Sequence, residues 1–398
     1  MILKPTSADG AWTASELRKL PPTERDAILQ TVRDFAEAEI RPHVMEWDEA
    51  QQFPHEVFRK LGELGLLGTI FPEEYGGAGI STSDYAAIVE EIASVDGSVA
   101  LALAAHTSLG SSHIFRFGTE AQRRRYMPRL TSGQWLAAWG LTEAEAGSDS
   151  GGTRTTAVRE GGTWVLNGSK NFITNASVGK VAVLMAVTEP SKGHHGISSF
   201  IVELDNPGIR VGKKENKLGM RASDTCTLVM EDCRVPAENL VGAQGEGFLN
   251  SMRILDGGRI SIAALSVGIA RGAYEAALKY SKERRQFGRP ICDFQAIRFY
   301  LAEMATEIDA SRLLTERAAQ AKDRGEEHGR LSAQAKYYAS EVAVRVTDRA
   351  LQIHGGYGFI KDFPVEKFYR DVKLCTIGEG TTEIQKLVIA KSLLAGGS

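Results

Sequence analysis

The N-terminal part of the chain places apolar residues at helical spacing. From about residue 14 to residue 136, apolar side chains recur every three or four positions, which puts them on one face of an α-helix. The pattern predicts helices over residues 23–46 and 54–66, the first with a kink or break at Pro42, because proline lacks a backbone donor. A loop is predicted over residues 71–79, and the alanine-rich stretch 83–117 predicts two further helices.

The pattern changes to that of β-strands between about residues 139 and 241. Residues 181–187 form a continuous apolar run of strand length, and residues 199–204 and 225–230 predict two more strands. Asn206-Pro207-Gly208 predicts a turn, and Asn167-Gly168, between two strand-like runs, predicts a β-hairpin. We interpret this part of the chain as a small β-barrel or sandwich.

Helical spacing returns after residue 248. Long helices are predicted over residues 258–285, 294–325 and 332–354, and a last helix over residues 384–394. Their lengths and short connections are typical of a helix bundle. We therefore expect an α+β protein with an N-terminal α-helical domain over residues 1–136, a middle β domain over 137–245 and a C-terminal four-helix-bundle domain over 246–398.

Composition excludes several classes of protein. The 47 Lys and Arg residues are balanced by 50 Asp and Glu residues, and no basic run suggests a groove for a polyanion, so nucleic acid is not an expected partner. Four cysteines lie far apart, and no His-x-x-x-His or acidic cluster occurs, so we expect no metal site and a reducing compartment. No targeting segment or membrane-length apolar window occurs, which predicts a cytoplasmic protein without a membrane partner.

Glu379 is the candidate general base. It lies between Gly378 and Gly380, just before the last predicted helix, and glycines let another group approach the carboxylate and its peptide closely. The same segment could instead be an ordinary helix start, capped by Thr381 or Thr382, with Glu379 at the positive end of the helix dipole. This segment alone leaves both interpretations open.

Four further polar clusters could each contact a ligand or be structural. Residues 141–149 combine hydroxyls and small residues, which suits an oxygen-rich ligand or a surface loop. Residues 171–175 could cover a flat ring or end a strand, and the two arginines of 283–288 could neutralise a phosphate or close a helix. Residues 352–358 contain glycines that permit close approach to a ligand but also stop a helix. His354 has no Ser or Cys motif nearby, so no catalytic role is assigned to it.

Taken together, these segments resemble the acyl-CoA dehydrogenase family from about residue 20 to residue 395, with short-chain, butyryl-CoA-type members most similar. Six ordered motifs carry the resemblance: residues 141–149, 168–175, 217–221, 284–288, 352–356 and 379–381. No Gly-x-Gly-x-x-Gly motif follows a strand and opens a helix, so nothing supports a nicotinamide-binding Rossmann unit.

The resemblance implies a homotetramer that binds FAD. By position, one set of residues would line the flavin: Trp139, Leu141, Thr142, Gly147, Ser148, Phe172, Ile173 and Thr174. A second set would bind the rest of FAD across a subunit interface: Arg284, Gln295, Gln352, Gly355 and Gly356. Two residues near the base, Thr381 and Glu383, would complete the cofactor site. The acyl-CoA would contact Ser148, Asp256, Arg259 and Gly380.

The resemblance also implies a reaction in which Glu379 removes the α-proton of an acyl-CoA while hydride leaves the β-carbon for flavin N5. The product would be a trans-2-enoyl-CoA, and an electron-transferring flavoprotein would accept the electrons. Isovaleryl-type members carry the base at the position of Gly258. Glutaryl-type members carry an arginine in the substrate pocket, and this sequence has no arginine at the corresponding place after Asp96. Ala144 and Gly378 depart from the usual Pro and Tyr, and the second departure opens space that a branched chain could fill.

Three alternatives use the same scaffold. An acyl-CoA oxidase would turn over with oxygen alone, although oxidases are usually longer chains. A dehydrogenase linked to acyl carrier protein would differ only in the carrier of the acyl group. A non-enzymatic flavin-binding relative that associates with DNA would be favoured by a basic C-terminal extension, which this sequence does not show.

Overall fold

The computed structural model describes residues 24–395, so the predicted helical region before residue 24 lies outside the described residues. The N-terminal helices are α1 (Glu24–Phe35), α2 (Val44–Ala50), α3 (His55–Glu63), α4 (Thr82–Ala93), α5 (Gly97–Ala104), α6 (Ser112–Phe117) and α7 (Glu120–Thr131). The predicted break at Pro42 is confirmed, because a π-helical turn and a 3₁₀ turn containing this proline separate α1 from α2.

One sheet contains eight strands between these helices and the C-terminal ones. They are β1 (Ala137–Gly140), β2 (Thr156–Glu160), β3 (Thr163–Thr174), β4 (Val181–Val187), β5 (Ile197–Glu203), β6 (Ile209–Lys214), β7 (Thr225–Pro236) and β8 (Leu240–Val241). Their order is β6-β7-β3-β2-β4-β5-β8, with β1 parallel to β4. The strands predicted over 181–187, 199–204 and 225–230 are confirmed as parts of β4, β5 and β7, and the turn at residues 206–208 is also present.

The hairpin predicted at Asn167-Gly168 is wrong. Both residues lie inside β3, at a bulge where the pairing register with β7 shifts. A Cβ atom at Gly168 would lie only 2.6 Å from Oγ1 of Thr155, so the glycine serves a close approach of two chain segments. The hairpin that joins β2 to β3 instead turns at residues 161–162.

The sheet curls over its own core. The rings of Trp164 on β3 and Phe200 on β5 lie 5.3 Å apart, although these strands are not neighbours in the sheet. The other face of β4, with Val183 and Met185, packs against α6 and α7. Strand β4 is apolar throughout because both of its faces are buried.

The C-terminal helices are long and form the scaffold of the site. They are α8 (Gly247–Glu283), α9 (Gln295–Asp323), α10 (Gly329–His354), α11 (Val365–Asp371) and α12 (Thr382–Leu394), with a small hairpin of β9 (Arg285–Gln286) and β10 (Arg289–Pro290). The predicted helices are confirmed, and α8 begins earlier than predicted. Helix α8 packs against α9, α10 and α4. The boundaries of the three predicted domains stay predictions.

A buried polar cluster joins the three parts of the chain. Asp371 on α11 accepts hydrogen bonds from the backbone N of Met220 at 2.6 Å and from Nζ of Lys367 at 2.5 Å, and Lys367 also pairs with Asp96 at 3.0 Å. Met220 belongs to the motif 217–221, and Asp96 caps α5. These contacts fix the sheet relative to the helices on either side.

Within residues 24–395, no helix is long and apolar enough to cross a membrane.

Candidate active site

Glu379 lies in a left-handed turn before α12. Its φ angle is 52° and that of Gly380 is 89°, so two consecutive residues adopt a conformation that favours glycine. Oγ1 of Thr381 accepts the hydrogen bond from the Ile384 backbone N at 3.4 Å and so caps the helix. The predicted cap is therefore confirmed at Thr381, while the carboxylate of Glu379 plays no part in capping and turns towards the interior.

The carboxylate of Glu379 packs directly on the backbone of α8. A side chain at Gly258 would collide with Oε2 of Glu379, and its Cβ would also lie 2.9 Å from Leu109. Oε2 is enclosed and has no hydrogen-bond partner among residues 24–395, although Glu379 as a whole is only half-buried. An enclosed carboxylate oxygen without a partner is costly unless a ligand or reaction uses it.

Burial raises the pKa of Glu379 to about 7, while the cations Lys336 and Arg259 oppose this rise. The ordinary value is 4.5, so the enclosed site favours the protonated form. A pKa near neutrality suits a general base, which must be unprotonated at the working pH yet bind a proton readily during reaction.

Asp256 and Arg259 form an ion pair beside this carboxylate. They lie one turn apart on α8, with Oδ1 of Asp256 2.5 Å from Nη1 of Arg259. Burial raises the pKa of Asp256 and lowers that of Arg259, and no described residue forms a hydrogen bond with Nε of Arg259. The sequence predicted both as contacts to the carrier arm of the substrate. The structure places Arg259 close enough to act electrostatically on Glu379 as well.

The two segments predicted to line the flavin are joined to each other. The backbone N of Asn171 donates to the carbonyl of Thr142 at 2.8 Å, and Nζ of Lys170 donates to the carbonyl of Leu141 at 3.3 Å. Lys170 is fully buried and also forms an ion pair with Glu143 at 2.6 Å. Burial lowers the pKa of Lys170 to about 8, which indicates an ion pair held in a dry environment.

These joined segments present an open surface of aromatic and small residues. Phe172 is 64% exposed and has a left-handed φ of 59°, which is uncommon for an aromatic residue. Gly147 and Ser148 are exposed, and Thr142 and Thr174 are partly exposed. Leu141 and Ile173 are buried, so their side chains are not part of this surface.

Trp139 is partly exposed on β1 and is held from behind. Its indole Nε1 donates to Nδ1 of His113 at 3.0 Å. His113 is completely buried, and burial lowers its pKa to about 3, so the ring is neutral and accepts this bond. The sequence did not point to His113, because a lone buried histidine has no recognisable pattern.

The second predicted cofactor set surrounds a separate cavity of about 530 Å³. Arg284, Gly355 and Gly356 line it, whereas Gln295 and Gln352 are exposed beyond its lining. Arg284 lies over the ring of Tyr357 at 5.2 Å. None of the lining residues belongs to the flavin-ring set, so the subunit holds the two sets in different places.

His354 also lines this cavity, but its own contacts are structural. Its Nδ1 lies 2.8 Å from the carbonyl of Ala350, and its ring stacks on Tyr280 with 4.3 Å between centroids. These contacts explain the position of the histidine without catalysis.

Comparison with known families accounts for this arrangement. The N-terminal, middle and C-terminal domain models of acyl-CoA dehydrogenase match residues 22–134, 138–233 and 245–394. The chain belongs to the acyl-CoA dehydrogenase family. Its reaction is the FAD-dependent dehydrogenation of an acyl-CoA thioester.

Individual members of the acyl-CoA dehydrogenase family are similar over nearly their whole length. The short-chain specific acyl-CoA dehydrogenase of Clostridium acetobutylicum is 47% identical over 92% of this chain and 97% of its own. The structure of butyryl-CoA dehydrogenase from Megasphaera elsdenii is 43% identical, with a TM-score of 0.92, covering 94% of this chain and 100% of its own. A chain in a structure of the electron transferring flavoprotein of Acidaminococcus fermentans is 45% identical, with a TM-score of 0.93, covering 94% and 99%.

The residues present fit the FAD of an acyl-CoA dehydrogenase. The exposed Phe172 and the partly exposed Trp139 offer flat apolar surfaces, and a Cβ atom at Gly147, Gly355 or Gly356 would meet nothing within 4 Å in the part of the chain that the structure describes. Such open backbone suits close approach by phosphate or ring oxygens. Among the described residues, no group of His, Cys, Asp or Glu could hold a metal ion.

Two residues that contact the base segment were missed by the sequence analysis. Lys336 donates from Nζ to the Gly380 carbonyl at 2.6 Å, and Gln385 donates from Nε2 to the same carbonyl at 2.9 Å. Lys336 could have been noticed in the sequence, because a lysine stands there at a position of α10 where the helical pattern of small, buried residues predicts an apolar one. Gln385 gave no such signal.

Proposed function

We propose that Glu379 is the base that removes the α-proton of a short- to medium-chain or branched acyl-CoA. The single observation that carries this proposal is the enclosed, partnerless carboxylate oxygen of Glu379, packed on Gly258 and with a pKa of about 7. Gly258 occupies the alternative position for a base in this family and has no side chain. The two positions compete for one space, so only one of them can carry a carboxylate.

The backbone beside the base supports activation of the thioester. The α-hydrogen of a thioester is a weak acid, so its carbonyl must be polarised before a carboxylate can remove the proton. The N–H of Glu379 enters no hydrogen bond among the described residues, and Gly378 next to it leaves the peptide accessible. We assign this N–H as a donor to the substrate carbonyl.

Bound FAD supplies the hydride acceptor for the β-carbon of the substrate. We propose that Trp139, Thr142, Gly147, Ser148, Phe172 and Thr174, with the backbones of Leu141 and Ile173, hold its ring. We propose that Arg284, Gln295, Gln352, Gly355 and Gly356 of one subunit bind FAD of another, because the two sets occupy different places within one subunit. Thr381 and Glu383 complete this cofactor site in the proposal.

The substrate contacts follow from the ion pair on α8. We propose that Asp256, Arg259, Ser148 and Gly380 contact the acyl-CoA. The similarity to a short-chain specific acyl-CoA dehydrogenase and to a butyryl-CoA dehydrogenase favours a short acyl group. At Gly378 the atoms nearest to an added Cβ belong to Leu374, at 3.5 Å and beyond, which is ordinary van der Waals contact, and we propose that the space left by the missing side chain accepts a branched chain.

We propose an electron-transferring flavoprotein as the electron acceptor and a homotetramer as the assembly. The first proposal rests on the similarity to a chain from a structure of an electron transferring flavoprotein. The second is supported by large exposed apolar residues in the C-terminal part, among them Phe287 at 92% and Phe359 at 85% exposure. A cytoplasmic location stays a prediction.

The test of the proposed base is Glu379→Gln, compared with Glu56→Gln on α3, a residue outside the proposed site. Gln keeps the shape and backbone of residue 379 but cannot accept the proton. We expect flavin reduction by butyryl-CoA, followed anaerobically by stopped-flow bleaching, to slow by about 10²–10⁴-fold or more.

Substrate binding and FAD content should change little in Glu379→Gln, and Glu56→Gln should keep most of its reductive rate because its carboxylate is exposed and lies outside the proposed site. Flavin reduction by Glu379→Gln at the wild-type rate would show that the base lies elsewhere.

A further inference from the structure

Lys336 is a fully buried cation on α10 next to the base segment. Its Nζ donates to the Gly380 carbonyl at 2.6 Å, and no salt bridge to it occurs within residues 24–395. The ionisable groups near it are Cys375, Glu379 and Glu341. Burial lowers the pKa of Lys336 to about 8, so it is still mainly a cation at neutral pH. A buried ammonium that bonds a single carbonyl is unusual, because long basic side chains normally reach solvent or a carboxylate.

The carbonyl bound by Lys336 belongs to the strained turn that presents the base. Gln385 donates to the same carbonyl at 2.9 Å and to the Glu379 carbonyl at 3.2 Å. A left-handed conformation at a residue with a side chain costs roughly 1–2 kcal/mol and persists only where other contacts hold it. The two donors together hold the peptides on the C-terminal side of Glu379.

The two donors differ in charge. Gln385 is neutral, whereas Lys336 brings a positive charge into the enclosure that surrounds the base carboxylate. Of the two cations that act on that carboxylate, Lys336 has the larger effect and Arg259 the smaller. Arg259 already pairs with Asp256, so Lys336 is the cation without a carboxylate of its own.

The remaining groups that face this site are neutral or directed elsewhere. Tyr85 on α4 and Cys375 are buried, and burial raises the pKa of each, so both are neutral. Glu341 on α10 accepts a hydrogen bond from Thr382 at 2.7 Å. Glu383 is exposed at the start of α12.

We propose that Lys336 is a positioning residue for the base: it fixes the Gly380 carbonyl and its charge keeps the Glu379 carboxylate ionised in the neutral pH range. This inference rests on the proposed role of Glu379. Lys336 does not touch the reacting atoms. It opposes the effect of burial, which by itself would leave the base protonated, and it does so through space from the adjacent helix.

The test compares Lys336→Met with Gln385→Met in the FAD-loaded protein. Each variant removes one donor to the Gly380 carbonyl, but only the first removes a charge. Anaerobic flavin reduction at saturating butyryl-CoA is measured from pH 6 to pH 9. We expect Lys336→Met to be slower at pH 7 by roughly fivefold, because a rise of about one pKa unit from about 7 reduces the ionised fraction of the base from about one half to about one tenth, and to recover most of the rate at pH 9. Gln385→Met should be slower than wild type by a factor that does not change with pH.

Two further variants protect the test against misfolding. Lys336→Gln keeps a neutral donor and should show the same shift of the pH profile as Lys336→Met, whereas Lys336→Arg keeps the charge and should restore the wild-type midpoint. Infrared titration gives a readout without turnover. The band of the protonated Glu379 carboxyl group is identified by its loss in Glu379→Gln, and it should persist to higher pH in Lys336→Gln than in wild type.

The outcomes are distinguishable from those for the base itself. A Lys336→Gln protein whose rate falls equally at all pH values, with an unshifted carboxyl band, would overturn the proposal and leave Lys336 a purely structural residue. An active Glu379→Gln protein would instead refute the role of Glu379. A shifted midpoint together with an inactive Glu379→Gln protein supports both.

Discussion

Replacing Glu379 with Gln should stabilise the folded protein at alkaline pH while it removes activity. The carboxylate is enclosed, and burial raises its pKa in the folded state to about 7, against an ordinary value of 4.5. Folding therefore favours the protonated form of this residue. The protein tolerates an unfavourable buried charge at the position where the reaction needs a base.

The sign and the pH window follow from the two pKa values. Below pH 4.5 the group is protonated in both the folded and the unfolded chain, so its stabilising contribution is fully present. That contribution is lost as the pH rises through about 7, the value in the folded state. The difference between 4.5 and about 7 corresponds to about 3 kcal/mol, since one pKa unit is worth about 1.4 kcal/mol.

Gln is uncharged at every pH and does not lose this contribution. We expect the free energy of unfolding of Glu379→Gln to exceed that of wild type by about 3 kcal/mol at pH 9, and by less than about 1 kcal/mol at pH 5. Denaturant unfolding of FAD-saturated protein at one protein concentration measures the difference, and all other titrating groups cancel between the two proteins.

Glu56→Gln is the control. Its carboxylate is exposed, and its hydrogen bond with Arg59 lowers its pKa, so its removal should not raise stability at pH 9. A Glu379→Gln protein that is no more stable than wild type at pH 9, or that gains equally at both pH values, would refute the conclusion that the base is held in an enclosed, unfavourable environment.

Three further predictions concern the surroundings of the base. Gly258→Ala should slow flavin reduction at least tenfold without changing FAD content, because the new methyl group collides with the carboxylate of Glu379; stopped-flow bleaching and the flavin-to-protein absorbance ratio measure the two effects. Gly378→Tyr should reduce kcat/KM for isobutyryl-CoA more than for butyryl-CoA, because the ring would fill the space proposed for the branch; an equal loss for both substrates would argue against a site for branching. Phe287→Asp should lower the tetramer fraction and the FAD content together, as light scattering and absorbance would show, since this ring is 92% exposed in the subunit.

The local spacing of apolar residues was sufficient to predict much of the fold. The apolar run over residues 181–187 became a strand with the predicted bounds, because a strand buried on both faces needs apolar residues at every position. The long C-terminal helices also appeared where helical spacing indicated them. The one clear error came from Asn167-Gly168, where a glycine needed for contact with Thr155 has the same sequence signature as a hairpin turn.

By itself, the sequence determined the order of the elements, the family and the residue expected to act as a base, since each of these depends on neighbouring residues or on short motifs. Only the tertiary structure decided what surrounds that base. The carboxylate of Glu379 meets the backbone of Gly258, and Lys336 reaches the adjacent carbonyl, although these three residues lie far apart along the chain. A pKa depends on burial and on charges brought close by folding, and no local pattern in the sequence records which distant residues become neighbours.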